Sequence, residues 1–479
     1  MKEYQLYING EFVENGNREM LDVLNPSTEE VLWRVPVGTA EDVDAAVKAA
    51  ACAQKQWAKT APNARADIFR ELAGLIRKHA DELTDVLIRE QGKVRDLAMG
   101  EVLLGADAFE FYAGQALRVD GDIIASNNPN EKIFVFKMPI GVVAGILPWN
   151  YPFYLIIRKM APALICGNAI VIKPAPETPG IAYEFAKLVA ESTLPKGLLN
   201  IVSGGTETGE ALTGHSGVGM ITLTGSVRAG TGVMRSAAPN ITKVSLELGG
   251  KAPVIVMPDA DLDEAIEDIY QSRIVNSGQV CSCAERIYVH EKIAAEFIDR
   301  MVKRMEATRW GDPSLTDELD MGPIISLKQI TNIQAMVDKA VAQGAKLLTG
   351  GKRVARKGYF FEPTVLTGSQ EMEIFHKEIF GPVLPIMTVR DFDEAVAMAN
   401  DCEYGLTSSV FTKDVDLMMR ASQELEFGET YVNRMHGETV QGFHSGWKHS
   451  GIGGSDGKYG LEEYVKPRLV YVRYDGNKK

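Results

Sequence analysis

From Gly141 onward the chain alternates short apolar runs with helical patterns, and this alternation limits the possible folds more than any other feature. Runs at 141–146, 169–172, 199–202 and 220–223 read as strands, with helical periodicity following at 155–164, 180–191, 207–212 and 228–238 and a further strand at 243–246. Short apolar strands separated by helices build a parallel sheet wound on both faces. Such a sheet binds ligands beyond the carboxyl ends of its strands. A second series begins at Val254-Ile255-Val256. Helical stretches at 262–274 and 294–308 follow, then strand-like 347–348, 362–366 and 383–389 and a helical 392–399. This predicts a second α/β domain.

The preceding segment reads differently. Residues 4–13 alternate around Asn9-Gly10, the pair favoured in a type I′ turn, and predict a small hairpin. Thr39 with Asp42 three residues on marks a helix start, and Val43, Ala46, Val47 and Ala50 follow at helical spacing. Further helical patterns at 63–79, 81–91 and 95–117 make this part mostly helical. Two β-rich runs, 118–126 and 131–138, predict a two-stranded ribbon. A lone ribbon is marginal in water and needs a further strand or surface. Residues 468–472 are one more β-run, of the kind that adds to a partner's sheet.

Bulk properties exclude some classes. A net charge of -13 argues against nucleic acid or an anionic membrane as partner, since either needs a basic surface. Five cysteines, few and odd in number, fit free thiols in a reducing compartment. The N-terminus lacks a basic-then-apolar signal, and no apolar run reaches the ~18 residues of a membrane helix. A cytoplasmic location is the expectation.

Three segments carry chemistry. The first is Gly278-Gln279-Val280-Cys281-Ser282-Cys283. A cysteine is ordinarily a small buried hydrophobe, and Cys166 in Leu164-Ile165-Cys166-Gly167 reads that way. Cys281, between a Gly-Gln pair and a serine, does not look like a core strand residue. No second cysteine pair or histidine cluster stands at ligand spacing, so no metal is expected and Cys283 reads as a packing neighbour. The second segment sets Glu247 between Leu246 and Leu248, ahead of Gly249-Gly250, glycines that permit close approach of a ligand to the backbone. A salt-bridged or solvated glutamate is the plainer reading. The third is Pro148-Trp149-Asn150-Tyr151-Pro152, where Asn150 is either a turn residue or an amide donor to an oxyanion. A soft nucleophile, a carboxylate and an amide are the parts of covalent acyl chemistry. Lys173 at a strand end, and Thr224-Gly225-Ser226 with Gly230 opening a helix, fit a nucleotide and its phosphates. Neither a Gly-x-Gly-x-x-Gly nor a P-loop signature occurs.

Together these segments, with Lys173-Pro174, Leu246–Lys251 and Glu378-Ile379-Phe380-Gly381-Pro382-Val383, resemble the aldehyde dehydrogenase superfamily over nearly the whole chain. The resemblance implies an α/β fold with two doubly wound Rossmann-like domains and a small β oligomerisation ribbon. It places a dinucleotide-binding domain at 1–117 and 140–249, a catalytic domain at 250–460, and the ribbon at 118–139 and 461–479. It further implies a homodimer or homotetramer, with Cys281 as nucleophile, Glu247 as the base that activates water, and Asn150 as oxyanion donor. In the cofactor site it sets Ile146, Pro148 and Trp149 along the nucleotide and Lys173 at the adenosine ribose. Gly205 and Gly209 lie near the adenine, and Gly225 and Ser226 hold the pyrophosphate. Glu378 binds the nicotinamide ribose, Phe380 packs near the ring, and Thr224 and Leu248 complete the set.

One position departs from the family pattern. Where NAD-preferring members carry Glu, this chain has Pro176, with Glu177 beside it. NAD is the expected cofactor, with NADP as the alternative. Residues 276–286, 427–434 and 441–447 resemble the lactaldehyde and glycolaldehyde dehydrogenase branch. In that branch a polar pocket accepts short hydroxyaldehydes, and the matching residues here are Arg158, Ser282, Glu438 and His444. Ser282 stands where that branch carries Asn, and His444 also reads as an ordinary loop histidine. Semialdehyde or betaine-aldehyde oxidation is the second enzymatic reading. A CoA-acylating enzyme is disfavoured by Glu247, which it would not need. A catalytically silent NAD-binding protein is disfavoured by retention of Cys281, Glu247 and Asn150.

Overall fold

In the computed structural model, which describes residues 1–475, the alternating runs form two sheets. The first has eight strands in the order Gly451–Ile452, Lys243–Glu247, Met220–Thr224, Val142–Ile146, Ala169–Lys173, Leu199–Ile201, Leu6–Ile8, Glu11–Val13. Its inner strands are parallel, and antiparallel pairs close each edge. From Val142–Ile146 the chain winds one way through the next two strands. It then returns to the other side with Met220–Thr224 and Lys243–Glu247. The order therefore reverses beside Val142–Ile146, and the crevice where ligands enter a doubly wound sheet opens there. The Pro148-Trp149-Asn150 loop and the Gly225-Ser226 turn leave the two strands that flank this reversal.

The second sheet runs Lys346–Thr349, Thr364–Thr367, Val383–Val389, Arg286–His290, Pro253–Val256, Thr407–Phe411, Glu429–Val432, with one antiparallel pair at the Lys346–Thr349 edge. The expected α/β class with two doubly wound sheets is the architecture seen. Gly451–Ile452 belongs to the first sheet although it follows the second in sequence.

The hairpin forms as expected, with Asn9 and Gly10 at φ 56° and 76°, and its first strand extends the first sheet. The helix Ala40–Trp57 starts on a capping box, in which Asp42 N–H donates to Thr39 Oγ1 and Thr39 N–H to the Asp42 carboxylate. Helices Pro62–Lys78, Ala80–Gln91 and Arg95–Gln115 follow.

The region is mostly helical, as expected, but it also holds a small sheet that the reading lacked. Lys2–Glu3, Val31–Pro36 and Met20–Leu24 form a three-stranded sheet. Trp33 and Val35 from its middle strand are buried, and Trp33 Nε1 donates to Glu90 Oε1 at 2.9 Å. The chain's last strand joins the ribbon. Val465–Arg473 pairs over its whole length with Glu131–Pro139 of the same chain, which pairs in turn with Asp122–Ala125, giving a three-stranded ribbon. The proximity of these segments satisfies the ribbon's need for a third strand within one chain. Residues 476–479 of the expected ribbon lie outside the described residues. Among the described residues no helix is long and apolar enough to cross a membrane.

A buried ion pair fixes the loop after Val142–Ile146. Lys93 and Glu101 face each other with fully buried side chains. Glu101 Oε1 accepts the N–H groups of Phe153 and Tyr154 at 2.8 and 3.1 Å, capping the helix Pro152–Ile165 with a carboxylate. Lys93 Nζ donates to the Asn150 carbonyl at 2.9 Å and lies over the Tyr151 ring at 3.7 Å. Removing one partner leaves an unpaired buried charge, so Glu101→Ala is expected to destabilise the protein by about 3–5 kcal/mol in chemical denaturation. A loss under about 1 kcal/mol, the value of an exposed pair, would contradict this.

Candidate active site

Cys281 lies on a loop that needs an unusual backbone. Asn276, Ser277 and Gly278 all adopt left-handed conformations, with φ of 50°, 58° and 74°. At Gly278 a Cβ would stand 2.3 Å from the Gly381 carbonyl oxygen, so only glycine fits. The strained turn is held from both sides. Arg273 donates to the carbonyls of Gly278 at 2.6 Å and Ala284 at 2.7 Å, bracketing Cys281. The buried Gln279 side chain donates to Asn276 O and accepts from Ile325 N. Cys283 points inward, its Sγ 2.9 Å from Val280 O, and burial pushes its thiol up to about 12. It is a packing residue. Cys281 itself is half-buried.

Asn150 reaches this loop from the first sheet. Its Nδ2 donates to the Gln279 carbonyl at 3.0 Å, and its own carbonyl accepts from Lys93 and from Asn276 Nδ2. An amide nitrogen carries two hydrogens, and this bond uses one of them. Gly249-Gly250 bring the end of the Lys243–Glu247 strand to the same place. A Cβ on Gly250 would meet the Cys281 carbonyl at 2.5 Å, and one on Gly249 would meet Glu378 Oε2 at 2.5 Å. The close approach expected at these glycines is thus to the protein's own chain.

Glu247 is buried and paired. Oε1 accepts from Lys159 Nζ at 3.0 Å and Oε2 from Thr224 Oγ1 at 3.1 Å. Arg158 Nη1 is 3.9 Å from Oε2. Burial pushes this carboxyl up, but Lys159 and Arg158 outweigh burial and hold it well below the usual carboxylate range. It is the salt-bridged glutamate of the plainer reading, in a position that also faces the site.

Arg158, Ser282, Glu438 and His444 come together. Glu438 accepts from Arg158 Nη1 at 3.5 Å and from Ser282 Oγ at 3.3 Å. Arg158 also donates to the buried Asp456, whose carboxyl burial pushes up to about 6. The His444 ring is 1% exposed, with Nδ1 2.6 Å from Glu429 Oε1, and its charge acts on the Cys281 thiol. The loop histidine of the plain reading therefore belongs to the site.

The expected cofactor residues line the crevice. Lys173 ends its strand, donates to the carbonyls of Pro174 and Gly204 at 2.9 and 3.1 Å, and is pushed down to about 8 by burial. Gly209 lies against its stem, with 3.5 Å between Lys173 Cε and a Cβ placed there. Gly205 precedes the helix Thr206–Thr213, and Ser226 caps Val227–Ala237 by accepting from Ala229 N. A Cβ on Gly225 would meet nothing closer than 3.8 Å, so there is room before that helix. Leu248 fills the space above Gly230. Ile146 and Pro148 are half-buried at the reversal point. Trp149 packs edge-on against Phe380 at 5.3 Å. Glu378 accepts from Gly250 N at 2.8 Å, and burial, with Glu285 behind it, pushes its carboxyl up to about 8.

Sequence reasoning missed Lys159, Asp456, Glu429 and the Lys93–Glu101 pair. Lys159 had a visible signal. Arg158-Lys159 interrupts an otherwise apolar helix whose residues are all buried, and two adjacent buried cations require acidic partners. Asp456 and Glu429 carried none, because their partners are distant in sequence.

Comparisons with known proteins agree with this arrangement. The aldehyde dehydrogenase family profile matches residues 12–470. Lactaldehyde dehydrogenase of Escherichia coli (strain K12) is 48% identical over 473 residues, 98% of this chain and 99% of that protein. The D-glyceraldehyde dehydrogenase (NADP(+)) of Picrophilus torridus is 40% identical over 98% of this chain and 96% of its own. The crystal structure of Escherichia coli lactaldehyde dehydrogenase superposes with a TM-score of 0.98 at 47% identity, covering 98% of this chain and 99% of that one. By profile, sequence and fold alike, this chain is a member of the aldehyde dehydrogenase family.

Proposed function

We propose that the protein oxidises a short 2-hydroxyaldehyde, of the lactaldehyde, glycolaldehyde or glyceraldehyde kind, to its carboxylic acid with NAD(P)+. The observation that carries this reading is the hydrogen-bonded set Arg158–Glu438–Ser282, next in the chain to Cys281, with the buried His444–Glu429 pair as a further polar group. Groups of this kind bind a hydroxyl next to the carbonyl and are left unpaired by an alkyl or aromatic aldehyde. Two relatives act on 2-hydroxyaldehydes by name, which supports the same class.

Cys281, as thiolate, adds to the aldehyde carbon. The oxyanion that forms is met by the free hydrogen of the Asn150 amide and by the Cys281 main-chain N–H, each such donor being worth roughly 3–4 kcal/mol in the transition state. A bound NAD(P)+ would supply the hydride acceptor that oxidation of this adduct to the Cys281 thioester requires. Glu247 then takes a proton from water, after turning away from Lys159, and the acid leaves as the thiolate is expelled. Lys173, the open space at Gly225, the Ser226-capped helix and the Glu378 carboxyl suit a dinucleotide. Pro176 is exposed and neutral, so no carboxylate opposes a 2′-phosphate there, while Glu177 is close enough to act on Lys173. NAD is the preferred cofactor and NADP the alternative.

We assign residues 1–117 and 140–249 to cofactor binding and 250–460 to catalysis. The ribbon, 118–139 with 461–479, is the association surface of a homodimer or homotetramer. Ile123, Phe136, Leu469 and Tyr471 are exposed on the ribbon at 70%, 49%, 48% and 62%. An apolar face of this kind is normally covered by a partner.

An aldehyde panel run with NAD+ and NADP+ tests the substrate class. Lactaldehyde or glycolaldehyde should exceed propanal in kcat/KM by about 10- to 100-fold, the value of one or two hydrogen bonds to charged groups. Cys281→Ala should be inactive. A preference for decanal or benzaldehyde overturns the substrate class, and turnover by Cys281→Ala overturns the mechanism. For assembly, sedimentation should give a dimer or tetramer, and Ile123→Asp with Leu469→Asp should lower its mass. A monomeric wild type would contradict the ribbon's role.

A further inference from the structure

Arg158 is a single guanidinium shared by three acids. Nη2 donates to Asp456 Oδ2, Nη1 donates to Glu438 Oε1 at 3.5 Å, and Nη1 stands 3.9 Å from Glu247 Oε2. The two Nη1 contacts are long, so it is Asp456 that holds the cation. Glu438 is the reachable acid of the three. Its side chain keeps 26% of its surface exposed, against 1% for Asp456 and 2% for Glu247. Glu438 also accepts from Ser282 Oγ at 3.3 Å, and its oxygens have room for a further donor. A ligand can therefore meet Glu438, whereas Asp456 can act on one only through Arg158.

The backbone at Asp456 suits glycine. Its φ of 69° and ψ of 165° lie in a region that other residues rarely occupy. The segment is nevertheless fixed. His444 and Ser455 exchange main-chain bonds of 2.9 Å each, and Gly457 N donates to Val440 O at 2.8 Å. A Cβ on Gly457 would stand 2.1 Å from Gly442 O. Ser455 Oγ accepts from Lys159 Nζ at 3.0 Å, so adjacent residues of this turn take adjacent cations of the helix Pro152–Ile165. A carboxylate thus stands where the main chain favours glycine, and strain of this kind persists at functional sites. Burial pushes the Asp456 carboxyl up to about 6, which leaves it ionised at neutral pH.

We propose that Asp456 is a positioning residue for substrate selection: by holding Arg158 Nη2 it keeps the guanidinium from closing on Glu438, and so leaves Glu438 free to accept the hydroxyl beside the aldehyde carbon. This rests on the 2-hydroxyaldehyde reading given above. Without the Asp456 charge, Arg158 pairs with Glu438 through two parallel N–H groups, the fork that satisfies a carboxylate. The substrate hydroxyl then loses its acceptor. Asp456 is too enclosed to touch the substrate, so its effect falls on the binding of hydroxylated aldehydes and not on the chemistry at Cys281.

The test compares lactaldehyde with propanal on wild type, Asp456→Asn, Arg158→Gln and the double variant. Asparagine at 456 can still accept from Nη2 and lacks only the charge. Asp456→Asn is expected to raise KM for lactaldehyde about tenfold, the value of one hydrogen bond to a charged group, with kcat for both aldehydes and KM for propanal within about twofold of wild type. Because Asp456 acts through Arg158, the double variant is expected to show the same preference between the two aldehydes as Arg158→Gln alone. The double variant removes both buried charges together, so it decides the matter if Asp456→Asn does not fold. An Asp456 that only supports the fold would lower kcat for both aldehydes alike and leave the ratio of their KM values unchanged. That result, or a double variant whose preference differs from that of Arg158→Gln, overturns the proposal and leaves the 2-hydroxyaldehyde reading standing. A wild type with no preference for lactaldehyde removes that reading and the proposal with it.

Discussion

The site depends first on Arg273 and the buried acid that holds it. Glu285 accepts from Arg273 at 2.9 Å and Lys251 at 2.7 Å, and from the N–H groups of Ile379 and Phe380. Burial alone would push its carboxyl up, but Lys251 and Arg273 keep it below its ordinary value. Arg273 then grips the carbonyls on either side of Cys281. The same acid therefore fixes the cysteine loop and the Glu378–Phe380 segment on the cofactor side. Losing one member of such a buried set leaves an uncompensated charge at a cost of about 3–5 kcal/mol.

The remaining charges divide into two groups with separate tasks. Lys159, Thr224 and Arg158 engage Glu247, and the two cations keep it ionised. Glu429, Glu438 and Arg158 surround His444 and Cys281. Glu247 meets two cations, whereas Glu429 meets the His444 ring and the Tyr431 hydroxyl. Arg158 belongs to both groups and is the residue through which they feel each other.

Much of the fold was legible because it is written in local pattern. The inner parallel strands are apolar runs, the helix at Ala40 begins on Thr39 and Asp42, and the Asn9-Gly10 pair turns a hairpin. Some of what was missed had a local signal that went unread: Leu417 and Ala421 of the helix Val415–Glu424, with Leu425 after it, pack on the core at helical spacing. Arg286–His290 is a fully buried central strand that starts with arginine, made tolerable by the Lys251 and Ala399 carbonyls and the Tyr288 hydroxyl. Leu327–Ala342, Thr407–Phe411 and Glu429–Val432 were likewise unread. Cys281, Asn150 and Glu247 stood out because each breaks its surroundings. Lys93, Asp456 and Glu429 acquire meaning only from partners that the fold brings from far along the chain.

The central claim is that an acyl group rides on the Cys281 sulfur and is released by Glu247. The most direct measurement is the mass of Glu247→Gln protein mixed with lactaldehyde and NAD+, followed by peptide mapping. The account predicts one burst of dinucleotide reduction and a persistent lactoyl adduct on the peptide carrying Cys281. An adduct on another side chain, or full turnover without any adduct, would contradict it.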